Sequence, residues 1–399
     1  MTRRAIALIG LFLLAGCSGG GGEPAATTQS VQGPSNGPAP RDLPGAPATA
    51  FLAATSEGLW RGDTSGKGGV VFVRPKLQQE DVVFGAGHVS YSVNDADIWT
   101  VNADGTGNRA LVNSPQSEHV NAASGPWVIY FDSDIRTWQS VRADTGQQAV
   151  LSTTSDDEPY LLVGSRVIFS ALSQLSSINF DGTDPRLHGP NYGYAWAFPI
   201  AAIAPSSFVY EQHPSPNQRL YAVSLTGDGQ PIPLEDGLSR ASYAGHFGTR
   251  VVYHRDGDVL SVNLDGTQTA VLAQQPENEA VQGIVGDKVV IRRNVSGNDQ
   301  LVFVPIGGGA ETFIMNLTDN DFVEVVAGNS LVLRRSTGTW RLDLNGALTK
   351  LGPTAGGHAY QVVGNAVSYN VSAALYCAPL DGSGPEVRID RNGRIVGAL

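Results

Sequence analysis

A glycine-centred motif returning about every forty residues, a second turn at Asp/Asn-Gly in each period and the lack of any long helical pattern together predict an all-β fold. The arrangement they predict is a single β-propeller of about nine four-stranded blades. The motif Gly-x-x-(Val/Leu)-x-(Tyr/Phe/Ile/Leu) stands at Gly125, Gly164, Gly248, Gly286, Gly328 and Gly364, and two further copies carry Ala86 and Pro205 in place of the glycine. Spacing this even points to one closed array over residues 49–399 rather than two unrelated domains.

Each copy reads as four strands. A short apolar run such as Leu161-Leu162-Val163 precedes the glycine and an alternating segment follows it, so two strands meet at a tight turn where glycine supplies unusual backbone angles. A third strand opens at an aromatic or large apolar residue and ends at the dipeptide: Trp99 leads to Asp104-Gly105, Leu260 to Asp265-Gly266, Trp340 to Asn345-Gly346 and Tyr376 to Asp381-Gly382. Such a dipeptide predicts a two-residue hairpin loop, because both positions tolerate positive φ. A fourth apolar stretch, Ala270-Val271-Leu272 for example, completes the unit.

The first copy lacks its opening strand. Residues 49–54 read as a second strand, 59–63 as a third and 70–73 as a fourth, with only a Pro-rich stretch before them. At the other end Ile395-Val396-Gly397 repeats the signature of Val362-Val363-Gly364. Residues 393–399 are therefore expected to supply the innermost strand of the first blade and latch the ring, which removes open sheet edges. This count gives nine blades, or eight if one unit is a partial blade.

The N-terminus carries a processing pattern. Arg3 and Arg4 precede an apolar run, Ala5 to Ala15, that is too short to span a bilayer and reads as a secretory h-region. Leu14-Ala15-Gly16-Cys17 resembles the lipobox of bacterial lipoproteins. That resemblance implies a signal peptide of residues 1–16 and covalent lipid on Cys17, with more than one acyl chain, as stable anchoring requires. In similar proteins of two-membrane bacteria, a serine after the lipidated cysteine, here Ser18, goes with sorting to the outer membrane; whether the body faces the periplasm or the cell surface stays open. Residues 17–48 are rich in Gly and Pro without apolar periodicity and form a tether spanning roughly 30 Å.

The formal net charge is -11, and removal of Arg3 and Arg4 with the signal peptide makes the body more acidic still. No Lys/Arg cluster exists to bind phosphate backbones, so nucleic acid is excluded as a partner. With Cys17 committed to lipid, Cys377 has no intramolecular disulfide partner and reads as a buried structural thiol. The body is expected to be a monomer that needs no cofactor beyond the lipid.

Ile98-Trp99 running into Asp104-Gly105 and then Arg109-Ala-Leu111, echoed from Val259-Leu260 to Asp265-Gly266-Thr267, is similar to the repeat of TolB-like propellers. The likeness covers two units well and the others loosely, and the family's Ser-Pro-Asp-Gly turn is replaced here by Gly-x-x. It implies the fold and says little about a partner.

Residues six or seven before each repeat position are expected on the face where blades connect. They are Glu80, Glu118, His119, Asp157, Glu158, Glu279, Asp321 and His358. They read either as solvated connectors or as an electronegative funnel that steers a basic partner or a cation. The connector bearing Tyr192, Tyr194, Trp196 and Phe198 places aromatics at alternate positions, which fits a half-buried strand or an exposed platform for a sugar or a partner's apolar side chains. Segments 211–217 and 292–299 are also long enough to reach a partner.

No Gly-x-Ser-x-Gly, His-x-x-x-His, Cys-x-x-Cys or phosphate-binding glycine loop is present. Two functional readings follow. One is a non-enzymatic, lipid-anchored scaffold that binds another envelope protein or a cell-wall or surface ligand, a glycan among them. The other is a carbohydrate-active lyase or hydrolase in which His119, His358 and the acidic ring hold a channel-side metal or act as acid and base.

Overall fold

The glycine turns and the Asp/Asn-Gly turns each reverse the chain, so every period folds into an up-and-down antiparallel sheet. Nine four-stranded sheets form in the computed structural model. It describes residues 50–399 apart from 66, 75–76, 78–80, 94–95, 153–156, 172–173, 189–195, 204–205, 214–217, 227–228, 236–239, 275–278, 354–356, 373 and 390–392. The protein is an all-β, nine-bladed propeller. The inner strands of blades 2 to 9 are Val82–Gly85, Glu118–Ser124, Asp157–Val163, Trp196–Ala202, Ala241–Phe247, Glu279–Val285, Phe322–Ala327 and His358–Val363.

Blade 1 is assembled from both ends of the chain. Its inner strand, Gly393–Ala398, pairs antiparallel with Ala50–Thr55, with Ala53 opposite Ile395, and the Leu399 amide donates to the Ala50 carbonyl at 2.9 Å. The latch read from the repeated Val-Gly signature is thus the closure of the ring.

The core consists of nine buried apolar clusters, one in each gap between neighbouring blades. Phe51, Ala53 and Trp60 of blade 1 pack with Leu375 and Cys377 of blade 9, while Leu52, Ala54 and Leu59 pack with Val89 and Tyr91 of blade 2. Successive side chains of a strand point to opposite faces, and here both faces are covered. The segments after the glycines are consequently not half-exposed, as their alternation suggests. Val128, Ile129 and Tyr130 are all buried, the first and third against blade 2 and the second against blade 4. Cys377 is a free, buried cysteine, and burial, with the nearby Asp63 charge, pushes its thiol up to about 12.

The turn chemistry is partly as read. Gly125 takes a φ of 54° and Gly286 one of 57°, and the residue after each keeps negative φ, which is why Pro126 fits there. Where Ala86 replaces the glycine, Gly87 follows and both take positive φ, 46° and 79°. The Asp-Gly turns differ from expectation. Only Gly105 takes positive φ, and Asn102 N–H donates to the Thr106 carbonyl at 2.9 Å, so the loop has three residues instead of two. Asp104 favours it by accepting from both the amide and the hydroxyl of Thr106, at 2.9 and 2.6 Å. Asp181 with Thr183 and Asp265 with Thr267 repeat the arrangement.

Polar ties join blades at the carbonyl just past the third strand of the next blade. Arg109 donates to Ala143 at 2.5 Å, Arg186 to Leu225 at 2.7 Å and Arg341 to Leu380 at 2.5 Å, while Ser140 and Ser261 donate to Phe180 and Ile306. The arginine of the Arg-x-Leu signature is thus an inter-blade clasp. Between blades 4 and 5, His188 is fully buried, its Nε2 lies 2.8 Å from Ser177 Oγ and its ring meets Phe208 edge-on. Burial, aided by the Arg166 charge, pulls His188 down to about 4.

Two outcomes follow. Removing residues 393–399 uncovers the edge of Ala50–Thr55 and opens two apolar gaps, and calorimetry should show a melting temperature lower by about 10 °C, with aggregation on sizing. Between the ordinary histidine value of 6.5 and about 4, the unfolded chain binds more protons at His188 than the folded one. The stabilisation is complete above the unfolded value and is lost as pH falls toward the folded value. Urea unfolding should show that His188→Gln removes about 2 kcal/mol of the stability difference between pH 7 and pH 5.

Candidate functional site

In an up-and-down blade the first and third turns leave from one face, and the second turn and the blade-to-blade connection from the other. The inner strands of blades 2 to 9 begin on this connection face, and the sequence-derived ring residues fall there. Glu118 and Glu279 open the inner strands of blades 3 and 7, His358 opens that of blade 9, Asp321 stands just before Phe322 in blade 8, and His119 follows Glu118. Asp157 and Glu158 open the inner strand of blade 4 opposite Ala171 and Ser170. Glu80, Tyr192, Tyr194 and Cys17, with the signal peptide and the tether, lie outside the described residues.

Burial separates these residues. Glu118, Glu279 and Asp321 are 0%, 8% and 2% exposed, whereas His119 is half-buried and His358 exposed. A funnel that steers by charge needs exposed carboxylates, and these three positions offer none. Their surroundings explain how the fold tolerates them. Cross-strand pairing sets Glu279 opposite Arg293, a cation that itself bonds Glu311 at 2.6 and 2.8 Å, and the pairing of Phe322 with Arg334 sets Asp321 opposite Arg335, whose guanidinium bonds it at 2.9 and 3.3 Å. Burial alone would raise the Asp321 carboxyl; the Arg335 hydrogen bond and the Thr318 amide hold it below the ordinary carboxylate value. Blade 3 differs, because Glu118 faces Asp132. Burial raises the Glu118 carboxyl, and Asp132, Asp97 and Asp134 raise it further against a hydrogen bond from Ser114.

On blade 5, Trp196 and Phe198 belong to the inner strand rather than to a loop. Phe198 is half-buried and meets the ring of His213 edge-on at 5.1 Å. His213 Nε2 lies 3.3 Å from Glu211, which also accepts the Tyr243 amide of blade 6 at 2.7 Å. Glu211 is a positioning residue that the connector reading missed. Ser92 and Ser170 do the same work at the same place in the repeat, bonding the Val120 amide at 2.9 Å and the Ala197 carbonyl at 2.5 Å. Alternate amides of an inner strand point away from its single partner, and those of Glu118 and Ala241, two residues earlier, likewise bond the preceding blade at the Ala96 and Gln218 carbonyls. The signal was present in the sequence: Ser92, Ser170 and Glu211 each lie six residues past a repeat position, namely Ala86, Gly164 and Pro205.

The segment 292–299 is a hairpin and not a connector. Strands Lys288–Val295 and Asn298–Pro305 extend to a tip at Ser296-Gly297, both at positive φ, and Arg292 pairs with Asp299 across it. His119 Nδ1 lies 4.0 Å from Asp81, and His358 is elsewhere on the ring. Among the described residues no three His, Cys, Asp or Glu side chains gather as a metal cage. A cavity of about 330 Å³ between blades 3 and 4 is lined by Leu151, Phe169, Ile178 and Leu187 with Ser152 and Ser176, and includes none of the ring residues.

No protein-family model matches the chain, and no curated protein matches it. Among solved structures, a eukaryotic initiation factor superposes with a TM-score of 0.62 at 7% identity, over 89% of this chain and 98% of that one. BamB from Moraxella catarrhalis gives a TM-score of 0.43 at 13% identity, over 84% of this chain and 92% of its own. An oligogalacturonate lyase from Vibrio parahaemolyticus gives 0.42 at 11% identity, over 75% and 98%. The initiation-factor likeness is one of fold alone; the other two superpositions are too loose to carry weight.

Arg335→Ala leaves the buried Asp321 charge without its partner, and urea unfolding should register a loss of about 3 kcal/mol or more. Adding Asp321→Asn should return part of that loss.

Proposed function

We propose that this protein is a lipid-anchored, non-enzymatic binding scaffold of the cell envelope. The observation that carries the reading is the order of its first fifty residues: Arg3-Arg4, an apolar run, Leu14-Ala15-Gly16-Cys17, a Gly/Pro-rich tether and then the first strand at Ala50. Acyl chains on Cys17 hold the ring at the membrane, and Ser18 directs it to the outer membrane. The tether gives the ring freedom to turn its connection face toward a partner. That face presents the Phe198 and His213 edge of blade 5, the extended hairpin of blade 7 and the exposed His358. Another envelope protein is the partner class that such dispersed, mixed polar and aromatic features suit.

The reading is tested in two steps. Cells expressing the full chain and fed labelled palmitate should label the wild type and not Cys17→Ser. The full-length protein in mild detergent should enrich a defined envelope protein from solubilised membranes, and Phe198→Ala combined with His213→Ala should reduce that recovery several-fold. Equal labelling of both forms, or recovery unchanged by the double variant, refutes the corresponding half.

A further inference from the structure

We propose that a calcium ion binds on the connection face between blades 2 and 3, held by Glu118 and Asp132. The repeat itself supplies the comparison. Where a buried acid opens or immediately precedes an inner strand in blades 7 and 8, an arginine stands opposite it: Arg335 bonds Asp321 directly, and Arg293 stands opposite Glu279 while its guanidinium donates to Glu311. In blade 3 the opposing residue is Asp132, itself 2% exposed, beside a Glu118 that is fully enclosed. Two buried carboxylates facing each other carry a large desolvation and repulsion cost unless one of them takes up a proton or a cation lies between them, and a cation leaves both charged and bridged.

The oxygens are arranged for one. Glu118 Oε1 accepts the Ser114 hydroxyl, and Oε2, enclosed, has no hydrogen-bond partner. Asp132 Oδ1 accepts the amides of Asp134 and Ile135, each at 3.2 Å, which fixes the carboxylate in place. The charges acting on Glu118 are those of Asp132, Asp97 and Asp134, all of its own sign. Asp97 is half-buried and Asp134 exposed, so they deepen the negative potential from the solvent side.

Calcium is the cation of choice because it accepts irregular oxygen sets completed by water, whereas magnesium demands near-octahedral geometry. Two carboxylates do not close a cage, so affinity belongs in the weak range of extracellular modules, on the order of 10⁻⁴ to 10⁻³ M. A bound ion would also brace the seam. The Glu118 amide already donates to Ala96 of blade 2, and the Ser133 amide to Ser117, both at 2.9 Å.

The test is thermal unfolding of the full-length protein in millimolar calcium and in chelator, with calorimetric titration of calcium alone. In about 10 mM calcium wild type should melt about 2–4 °C higher, and magnesium should give less. Glu118→Gln should melt above wild type in chelator and gain nothing from calcium; Asp132→Asn, which keeps an oxygen for the turn amides, should likewise lose the calcium gain. A wild type that melts equally in both solutions and shows no binding heat overturns the proposal, as does a Glu118→Gln protein that keeps the full gain.

Discussion

No blade of this protein can bury itself. Each sheet is apolar on both faces, so its stability exists only in contact with a blade on either side, and nine such contacts are satisfied together only when the ring is closed. The same constraint accounts for the run of consecutive apolar residues in second strands such as Val251-Val252-Tyr253, all of them fully buried. It also accounts for the split first blade, since a sheet made from both ends of the chain holds the two ends of the array together by strand pairing, and keeps the last pair of apolar faces in contact.

Apolar layers set the spacing of the blades, and polar ties set their alignment. Arginines at the outer part of one blade and serines on its third strand bond carbonyls of the next, and Ser92, Ser170 and Glu211 bond its inner strand. Variation among blades is therefore informative. The framework is common to all nine, and individuality resides in the residues that open the inner strands, in the blade 7 hairpin and in the blade 5 edge.

Much of the ring was legible because glycine periodicity is a direct consequence of the turns that repeat. The latch at Ile395 and Val396 could be read for the same reason. What could not be read was the environment of a charged side chain. Glu118, Glu279 and Asp321 look like solvated connector residues in a linear sequence, yet each is enclosed. The clue lies fourteen residues further on, at Asp132, Arg293 and Arg335, because the two strands that follow the connector bring those positions opposite each other. The Asp/Asn-Gly loops hold three residues instead of two because the Asp or Asn side chain accepts the amide two residues on, at Thr106, Thr183, Thr267 and Ala347 alike.

The strand Ala50–Thr55 is held along both edges, by Gly393–Ala398 on one side and Gly58–Asp63 on the other. A pull entering the body at Ala50 along the strand axis would load both rows of hydrogen bonds at once instead of peeling them one by one. The point where the chain enters the ring is thus built to resist shear, and mechanical tension on the N-terminus would be shared by three strands before any blade separates.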